Sequence, residues 1–195
     1  MDRELLPIES KDGAPYPEGR NTFGLADVSV CGPVLMTRGE LDFLLESVPL
    51  RGRYCEIGSW CSAGLSWIAD RRPEVYCVGV DCFEGPPTRR LFAALANWDQ
   101  RPNVELFLGR VENFAWRDSY FDVCLVDGDH RADAVYRDLA AAAEMCKSSA
   151  SMFAHDYGSD GHREVKQAVD QFCQEQAWAI VGRVDSLVKL QWAPL

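Results

Sequence analysis

From residue 37 onward, segments whose apolar residues recur every three or four positions alternate with short apolar runs. The runs RYCEIG, VYCVGVD, NVELFLG, YFDVCLVDGD and SASMFAHD predict five β-strands. The segments TRGELDFLLESV, SAGLSWIADRR, TRRLFAALANW, ADAVYRDLAAAAEMC and HREVKQAVDQFCQEQ predict five helices. The first helix opens at Thr37 with Glu40 three positions later, which is the pattern of a capping box.

Strands that are apolar along their whole length, with helices between them, are typical of a parallel sheet covered on both faces. The last segment, AWAIVGRV-DS-LVKLQW, has two β-type runs around a two-residue polar turn, which predicts an antiparallel hairpin. The predicted fold is therefore α/β, a doubly wound and mostly parallel Rossmann-like sheet with an antiparallel C-terminal hairpin strand. Residues 1–36 are predicted to be an N-terminal arm and residues 37–195 a single domain.

Composition narrows the range of partners. The chain has 195 residues and a formal net charge of −10, which opposes binding to phosphate backbones and anionic lipid, so we expect no nucleic acid and no membrane. No signal peptide or membrane-spanning run is evident, and we expect a cytoplasmic protein. The eight cysteines show no C-x-x-C spacing, and most lie in apolar runs, which predicts reduced thiols in the core.

The residues that follow the predicted strands are the candidates for chemistry, because open α/β sheets bind ligands at the carboxyl ends of their strands. After the first strand, Gly58 and Ser59 would let a ligand approach the backbone, and the next helix offers free N–H groups. Asp81 ends the second strand, where nucleoside-binding sheets place an acid for the ribose hydroxyls. An adenosine-type ligand explains this pattern best, and an ordinary glycine turn with a capping aspartate is the alternative.

The motifs EIGSW, VGVD, FDVCLVDGDH and AHDYG together resemble class I S-adenosylmethionine-dependent methyltransferases. They most resemble the compact branch of macrocin-type sugar O-methyltransferases and cephalosporin-hydroxylase-like proteins, over about residues 50–192. The resemblance implies that S-adenosylmethionine is the cofactor. The implied cofactor-binding residues are Glu56, Gly58, Ser59 and Trp60 at the methionine part, Asp81 at the ribose, Arg110 and Val111 at the adenine, and Asp127. Ser62 stands where the family usually has glycine.

The same resemblance implies a divalent cation bound by Asp127, His155 and Asp156. Oxygen ligands favour Mg²⁺, whereas the histidine nitrogen would equally suit Mn²⁺, Fe²⁺ or Zn²⁺. The alternative is that His155 and Asp156 form a hydrogen-bonded pair at the end of the strand without a metal.

His130 and Asp127 are the predicted catalytic residues, with His130 as the general base. A histidine bonded to the backbone at a helix start is the alternative for His130, and His162 is expected to be a solvated surface residue. The predicted reaction is O-methylation of a small hydroxylated acceptor, such as a sugar or natural-product intermediate, with metal assistance. A metal-dependent hydrolase or oxygenase using Asp127, His155 and Asp156 is one alternative, and a non-catalytic nucleoside-binding protein is another. The short chain is also compatible with a homo-oligomer in which a neighbouring subunit completes the site.

Overall fold

A computed structural model describes residues 34–83, 89–114 and 120–193 of the chain. The predicted N-terminal arm, residues 1–36, lies outside the described residues except for its last three, of which Val34 and Met36 are buried. The single domain predicted for residues 37–195 stays a prediction at its boundaries.

Helices and strands alternate along the described chain. The helices are α1 (Arg38–Ser47), α2 (Ala63–Arg71), α3 (Arg89–Asp99), α4 (Ala132–Met145) and α5 (Arg163–Glu175), with a short 3₁₀ turn at Val111–Asn113. The strands are β1 (Gly52–Ile57), β2 (Val75–Asp81), β3 (Val104–Leu108), β4 (Phe121–Val126), β5 (Cys146–Ala154), β6 (Trp178–Val184) and β7 (Leu187–Trp192). All the predicted elements are present. The fifth strand starts earlier than predicted, because α4 runs directly into it at Cys146.

The seven strands form one sheet in the order β3-β2-β1-β4-β5-β7-β6. Strands β1 to β5 are parallel, and β7 pairs antiparallel with both β5 and β6, as the predicted hairpin requires. The chain leaves β1 toward β3 on one side and returns to β4 on the other, so the strand order reverses between β1 and β4. A ligand-binding crevice is expected at the carboxyl ends of these two strands.

Apolar side chains fill both faces of the sheet, which confirms the doubly wound fold. On one face, residues such as Leu139 of α4 and Phe172 of α5 are fully buried against the strands. On the other, Leu44 of α1 and Trp67 of α2 are equally buried. Five of the seven described cysteines are buried and all seven are free, in agreement with core thiols.

Helix α1 begins as the sequence predicts. The Thr37 side chain accepts a hydrogen bond from the Glu40 N–H, and the Glu40 carboxylate accepts one from the Thr37 N–H at 2.7 Å. The capping box thus satisfies N–H groups that the first turn of a helix leaves without partners. Among the described helices, none is long and apolar enough to cross a lipid bilayer.

Candidate active site

The loop from β1 to α2 lies directly against the end of β4. A Cβ atom at Gly58 would be only 2.2 Å from the Asp127 carbonyl oxygen and 2.4 Å from the Gly128 Cα. The Gly58 and Ser59 N–H groups both donate to the Val80 carbonyl, which fixes the loop to β2 as well. Only glycine fits at position 58, so the loop closes over the point where the strand order reverses.

Alternate residues of this loop adopt the left-handed conformation. The φ angles are +85° at Gly58, +49° at Trp60 and +57° at Ser62. An L-residue other than glycine pays roughly 1–2 kcal/mol for this conformation. The geometry at Ser62 gives a physical reason why glycine is usual there in the methyltransferases that the chain resembles.

Glu56 lies near the end of β1 and is buried, just before the loop that leads to α2. Its carboxylate accepts a hydrogen bond from the Tyr54 hydroxyl at 2.9 Å and another from the Leu65 N–H in the first turn of α2. Burial raises the pKa of Glu56 to about 8. These contacts anchor the start of α2, and the predicted contact of Glu56 with the methionine part of a cofactor stays a prediction.

Asp81 connects the two loops at the end of β2. One carboxylate oxygen accepts the Trp60 N–H at 2.7 Å, and the other accepts the Phe83 N–H at 2.8 Å. These distances are typical of charge-assisted hydrogen bonds. Asp81 therefore holds the first loop in place, and its half-buried carboxylate lies at the edge where the sequence predicts the ribose.

The candidate adenine residues follow β3. Arg110 is exposed, whereas the Val111 side chain is buried in the core at the start of the 3₁₀ turn. The Gly109 N–H donates to the Asp81 carbonyl, which places this segment beside the end of β2. The predicted contacts of Asp81 with the ribose and of Arg110 and Val111 with the adenine stay predictions.

The ends of β4 and β5 bring together the three predicted cation ligands. The His155 Nδ1 atom is 3.1 Å from an Asp127 carboxylate oxygen and 3.7 Å from an Asp156 carboxylate oxygen. The three side chains offer ligand atoms within 4.8 Å of one another. Asp156 has a φ of +59°, a strained conformation that turns its side chain into the cluster.

His155 is almost fully buried between carboxylates. Burial disfavours its charged form, but Asp127, with Glu40 and Asp156, raises the pKa of His155 to about 11. The predicted alternative, a hydrogen-bonded pair of His155 and Asp156 without a metal, describes only part of this arrangement, because the shorter contact of His155 is to Asp127.

His130 lies next to this cluster rather than against the backbone. Its Nε2 atom is 2.9 Å from an Asp156 carboxylate oxygen, and this hydrogen bond raises the pKa of His130 above 6.5. A small pocket beside it is lined by Asp127, His130 and His155, together with Val135 and Val165. The Nδ1 atom of His130 has no carboxylate contact among the described residues.

His162 is partly exposed, as expected for a surface residue, but it also contacts the site. Its ring stacks on His130 with centroids 3.9 Å apart, and its Nε2 atom is 3.9 Å from the same oxygen of Asp156. His162 immediately precedes α5, so the return of the chain after β5 brings it to the site. Nothing in the sequence around His162 distinguishes a histidine that contacts the site from one that is exposed to solvent at a helix start.

Sequence reasoning also missed the second role of Glu40. Its carboxylate lies 3.5 Å from the His155 Nε2 atom, across 115 residues of sequence. Burial would raise the pKa of Glu40, but hydrogen bonds from His155, Ser186 and Thr37 lower it to about 2. The capping-box pattern identified the residue without indicating that α1 packs beside the end of β5.

The described cleft thus brings together a tightly packed glycine loop after β1, the Asp81 carboxylate at the end of β2, and a cluster of carboxylates and histidines at the ends of β4 and β5. Residues 55–157 match the model of a family described as a methyltransferase domain. The chain therefore belongs to this methyltransferase family, and it is an S-adenosylmethionine-dependent methyltransferase. Membership of the branch of macrocin-type sugar O-methyltransferases and cephalosporin-hydroxylase-like proteins stays a prediction.

Solved structures share this fold at low sequence identity. The 1,6-didemethyltoxoflavin-N1-methyltransferase of Burkholderia thailandensis is 14% identical, with a TM-score of 0.63 over 80% of this chain and 78% of that one. An S-adenosylmethionine-dependent methyltransferase of Aquifex aeolicus is 13% identical, with a TM-score of 0.61 over 79% and 90%. The tRNA methyltransferase TrmK of Bacillus subtilis is 11% identical, with a TM-score of 0.59 over 83% and 68%. No curated protein sequence matches the chain.

Proposed function

We propose that the protein transfers the methyl group of S-adenosylmethionine to a hydroxyl oxygen of a small acceptor, a sugar or a natural-product intermediate. The observation that carries this proposal is the position of His130 beside Asp127, His155 and Asp156 at the ends of β4 and β5. A histidine next to a set of cation ligands is suited to removing a proton from a hydroxyl group.

The cofactor-binding residues are proposed from the geometry of the cleft. Gly58, Ser59 and Trp60 would surround the methionine part, because their loop lies at the carboxyl end of β1 where the strand order reverses. Asp81 would accept the ribose hydroxyls while keeping its bonds to the loop. Arg110 and the backbone at Val111 would border the adenine, as the order of the strands suggests.

Asp127, His155 and Asp156 fit a divalent cation. They provide two carboxylates and one imidazole nitrogen within 4.8 Å, a donor set compatible with Mg²⁺ and also with Mn²⁺, Fe²⁺ or Zn²⁺. When bound there, such an ion would lower the pKa of a hydroxyl group that contacts it.

His130 and Asp156 would together remove the proton from the acceptor. The Asp156 carboxylate holds the Nε2–H of His130, which leaves Nδ1 to accept the hydroxyl proton of the acceptor. The acceptor oxygen forms a bond to the methyl carbon while the bond from that carbon to the sulfonium sulfur breaks. The sulfur keeps the electron pair, and S-adenosylhomocysteine and the methyl ether are the products.

A small acceptor is favoured over a nucleic acid by charge. The chain carries a net charge of −10, which opposes the close approach of a phosphate backbone. One structural neighbour is a methyltransferase for 1,6-didemethyltoxoflavin, a small molecule, while another acts on tRNA. The fold therefore accommodates both kinds of acceptor, and the acidity of this chain supports the first.

The experiment is the substitution His130→Ala, assayed by release of S-adenosylhomocysteine with a panel of sugars and phenols. Turnover should fall by about 10²–10⁴-fold, the usual contribution of a general base. Binding of S-adenosylhomocysteine, measured by calorimetry, should stay unchanged.

The matched control is Asp133→Asn, because a substitution at Asp129 would alter the pocket that also contains His130. Asp133 is an exposed acid on α4 that pairs with Arg137, and its loss should leave turnover intact. Full turnover by the His130 variant would exclude it as the base. Turnover that survives complete removal of metal by EDTA would exclude the metal assistance.

A further inference from the structure

The buried carboxylate of Glu40 joins the start of α1 to the end of β5. Its side chain is 2% exposed, and it lies outside the residues that match the methyltransferase family. Burying a carboxylate is costly unless hydrogen-bond donors surround it. Four donors do so here, and they come from three separate parts of the fold.

The two oxygens of Glu40 have different partners. Oε1 accepts hydrogen bonds from the Ser186 N–H at 2.9 Å and from the Ser186 hydroxyl at 2.7 Å. Oε2 accepts the Thr37 N–H at 2.7 Å and lies 3.5 Å from the His155 Nε2 atom. One oxygen thus fixes the turn between β6 and β7, and the other faces the candidate active site.

His155 therefore has a carboxylate on each side of its ring. Nε2 faces Glu40, and Nδ1 faces Asp127 and Asp156. A carboxylate can only accept a hydrogen bond, so without a cation both ring nitrogens carry a proton, Nε2 toward Glu40 and Nδ1 toward Asp127. A cation bound to Asp127 and Asp156 would replace the proton on Nδ1, whereas Nε2 would keep its proton toward Glu40.

We propose that Glu40 is a positioning residue that holds the Nε2–H of His155 and so directs Nδ1 toward Asp127 and Asp156. Carboxylates that accept the second N–H of a ligating histidine orient the ring and raise its basicity. The inference rests on the proposed function only for the identity of the cation site; the orientation of His155 can be tested without it.

A capping box alone does not account for this arrangement. Thr37 and Glu40 would satisfy each other at a solvent-exposed helix start just as well. Here the same carboxylate is enclosed by the β6–β7 turn and by His155. Thr37 also donates a hydrogen bond from its hydroxyl to the Asp185 carboxylate at 2.7 Å. The start of α1 is therefore bonded to the β6–β7 turn by a second contact that does not involve Glu40.

The contacts of Thr37 and Ser186 provide matched control variants. Thr37→Ala removes the cap and the bond to Asp185, and Ser186→Ala removes a bond to Oε1, while both leave Oε2 facing His155. Glu40→Ala removes both oxygens, and Glu40→Gln retains one acceptor oxygen. A role confined to stability would make the Thr37 and Glu40 variants behave alike.

The first measurement is the affinity of the full-length protein for Mn²⁺ alone, by calorimetry. Glu40→Ala should weaken Mn²⁺ binding by about 10–100-fold, the usual effect of losing a carboxylate behind a ligating histidine. Glu40→Gln should lie between that variant and the wild type, and the Thr37 and Ser186 variants should bind as the wild type does. Equal losses in the Thr37→Ala and Glu40→Ala variants would overturn the proposal.

The second measurement needs neither a variant nor a metal. Long-range ¹H–¹⁵N spectra of the wild type should show a proton on Nε2 of His155 that exchanges with solvent far more slowly than the ring protons of the half-exposed His130. A missing or freely exchanging Nε2 proton would overturn the role of Glu40. Failure of the wild type to bind Mn²⁺, with this proton protected, would instead refute the cation site of the proposed function.

Discussion

Replacement of Asp81 tests the proposed contact between the end of β2 and the ribose of the cofactor. Its carboxylate accepts N–H groups from Trp60 and Phe83 at 2.7 and 2.8 Å. Hydrogen bonds to a charged acceptor contribute roughly 1.5–3 kcal/mol each. Because the site is half-buried and water can replace part of this energy, we expect Asp81→Asn to lower the free energy of unfolding by only about 1–2 kcal/mol.

The substitution should also weaken binding of the cofactor. If the same carboxylate accepts the ribose hydroxyls, S-adenosylhomocysteine should bind to Asp81→Asn about 1–3 kcal/mol more weakly, which is roughly a 5- to 150-fold rise in Kd. Calorimetric titration of the wild type and the variant gives this difference. Asp133→Asn, at an exposed position on α4, is the control and should bind as the wild type does.

A modified ligand separates the two roles of Asp81. An S-adenosylhomocysteine analogue without the ribose 2′- and 3′-hydroxyls lacks the groups that the carboxylate would accept. The wild type should bind this analogue more weakly than S-adenosylhomocysteine. Asp81→Asn should then weaken binding of the analogue by little more. An equal penalty for both ligands would show that Asp81 acts only through the loop, and an unchanged Kd for S-adenosylhomocysteine would refute the reasoning altogether.

Three further substitutions test the packing around the cleft. Gly58→Ala should lower the free energy of unfolding by more than about 3 kcal/mol in urea denaturation, because its Cβ would overlap the backbone at Asp127; near-native stability would contradict the structure. Ser62→Gly should relieve the left-handed strain and raise that free energy by about 0.5–1 kcal/mol, whereas a loss would mean that the buried hydroxyl contributes more than the strain costs. Burial raises the pKa of Asp138 from 3.8 to about 7, so its ionisation opposes folding as pH rises through that range. Asp138→Asn should therefore be more stable than the wild type by about 1–3 kcal/mol at pH 8 and by nothing near pH 4 in thermal unfolding, and a constant difference at all pH values would rule this out.

The order of elements could be predicted because burial leaves a direct pattern in the sequence. Strands buried on both faces are apolar throughout, as VYCVGVD shows for β2, and the polar turn at Asp185 and Ser186 marks the hairpin. The capping box at Thr37 depends on two residues three positions apart, so it too could be predicted. The clustering of Asp127, His155 and Asp156 follows from a single rule, that parallel strands end at the same edge.

The contacts that the sequence could not indicate depend on distant parts of the chain. Glu40 reaches His155 only because α1 packs beside the β6–β7 turn, and Ser186 of that turn is 146 residues away. His162 joins the site through the path of the loop before α5, for which no periodic pattern exists. The left-handed backbone at Trp60 and Ser62 could not be predicted either, because neither residue type favours it.

The most direct test of the central claim is a calorimetric titration of the purified protein with S-adenosylmethionine, with and without EDTA. We predict one binding site per chain that survives EDTA, because most of the proposed cofactor residues follow β1, β2 and β3, and only Asp127 is shared with the candidate cation site. Saturable binding in both conditions would agree with an S-adenosylmethionine cleft at the reversal of strand order. No binding in either condition would contradict it.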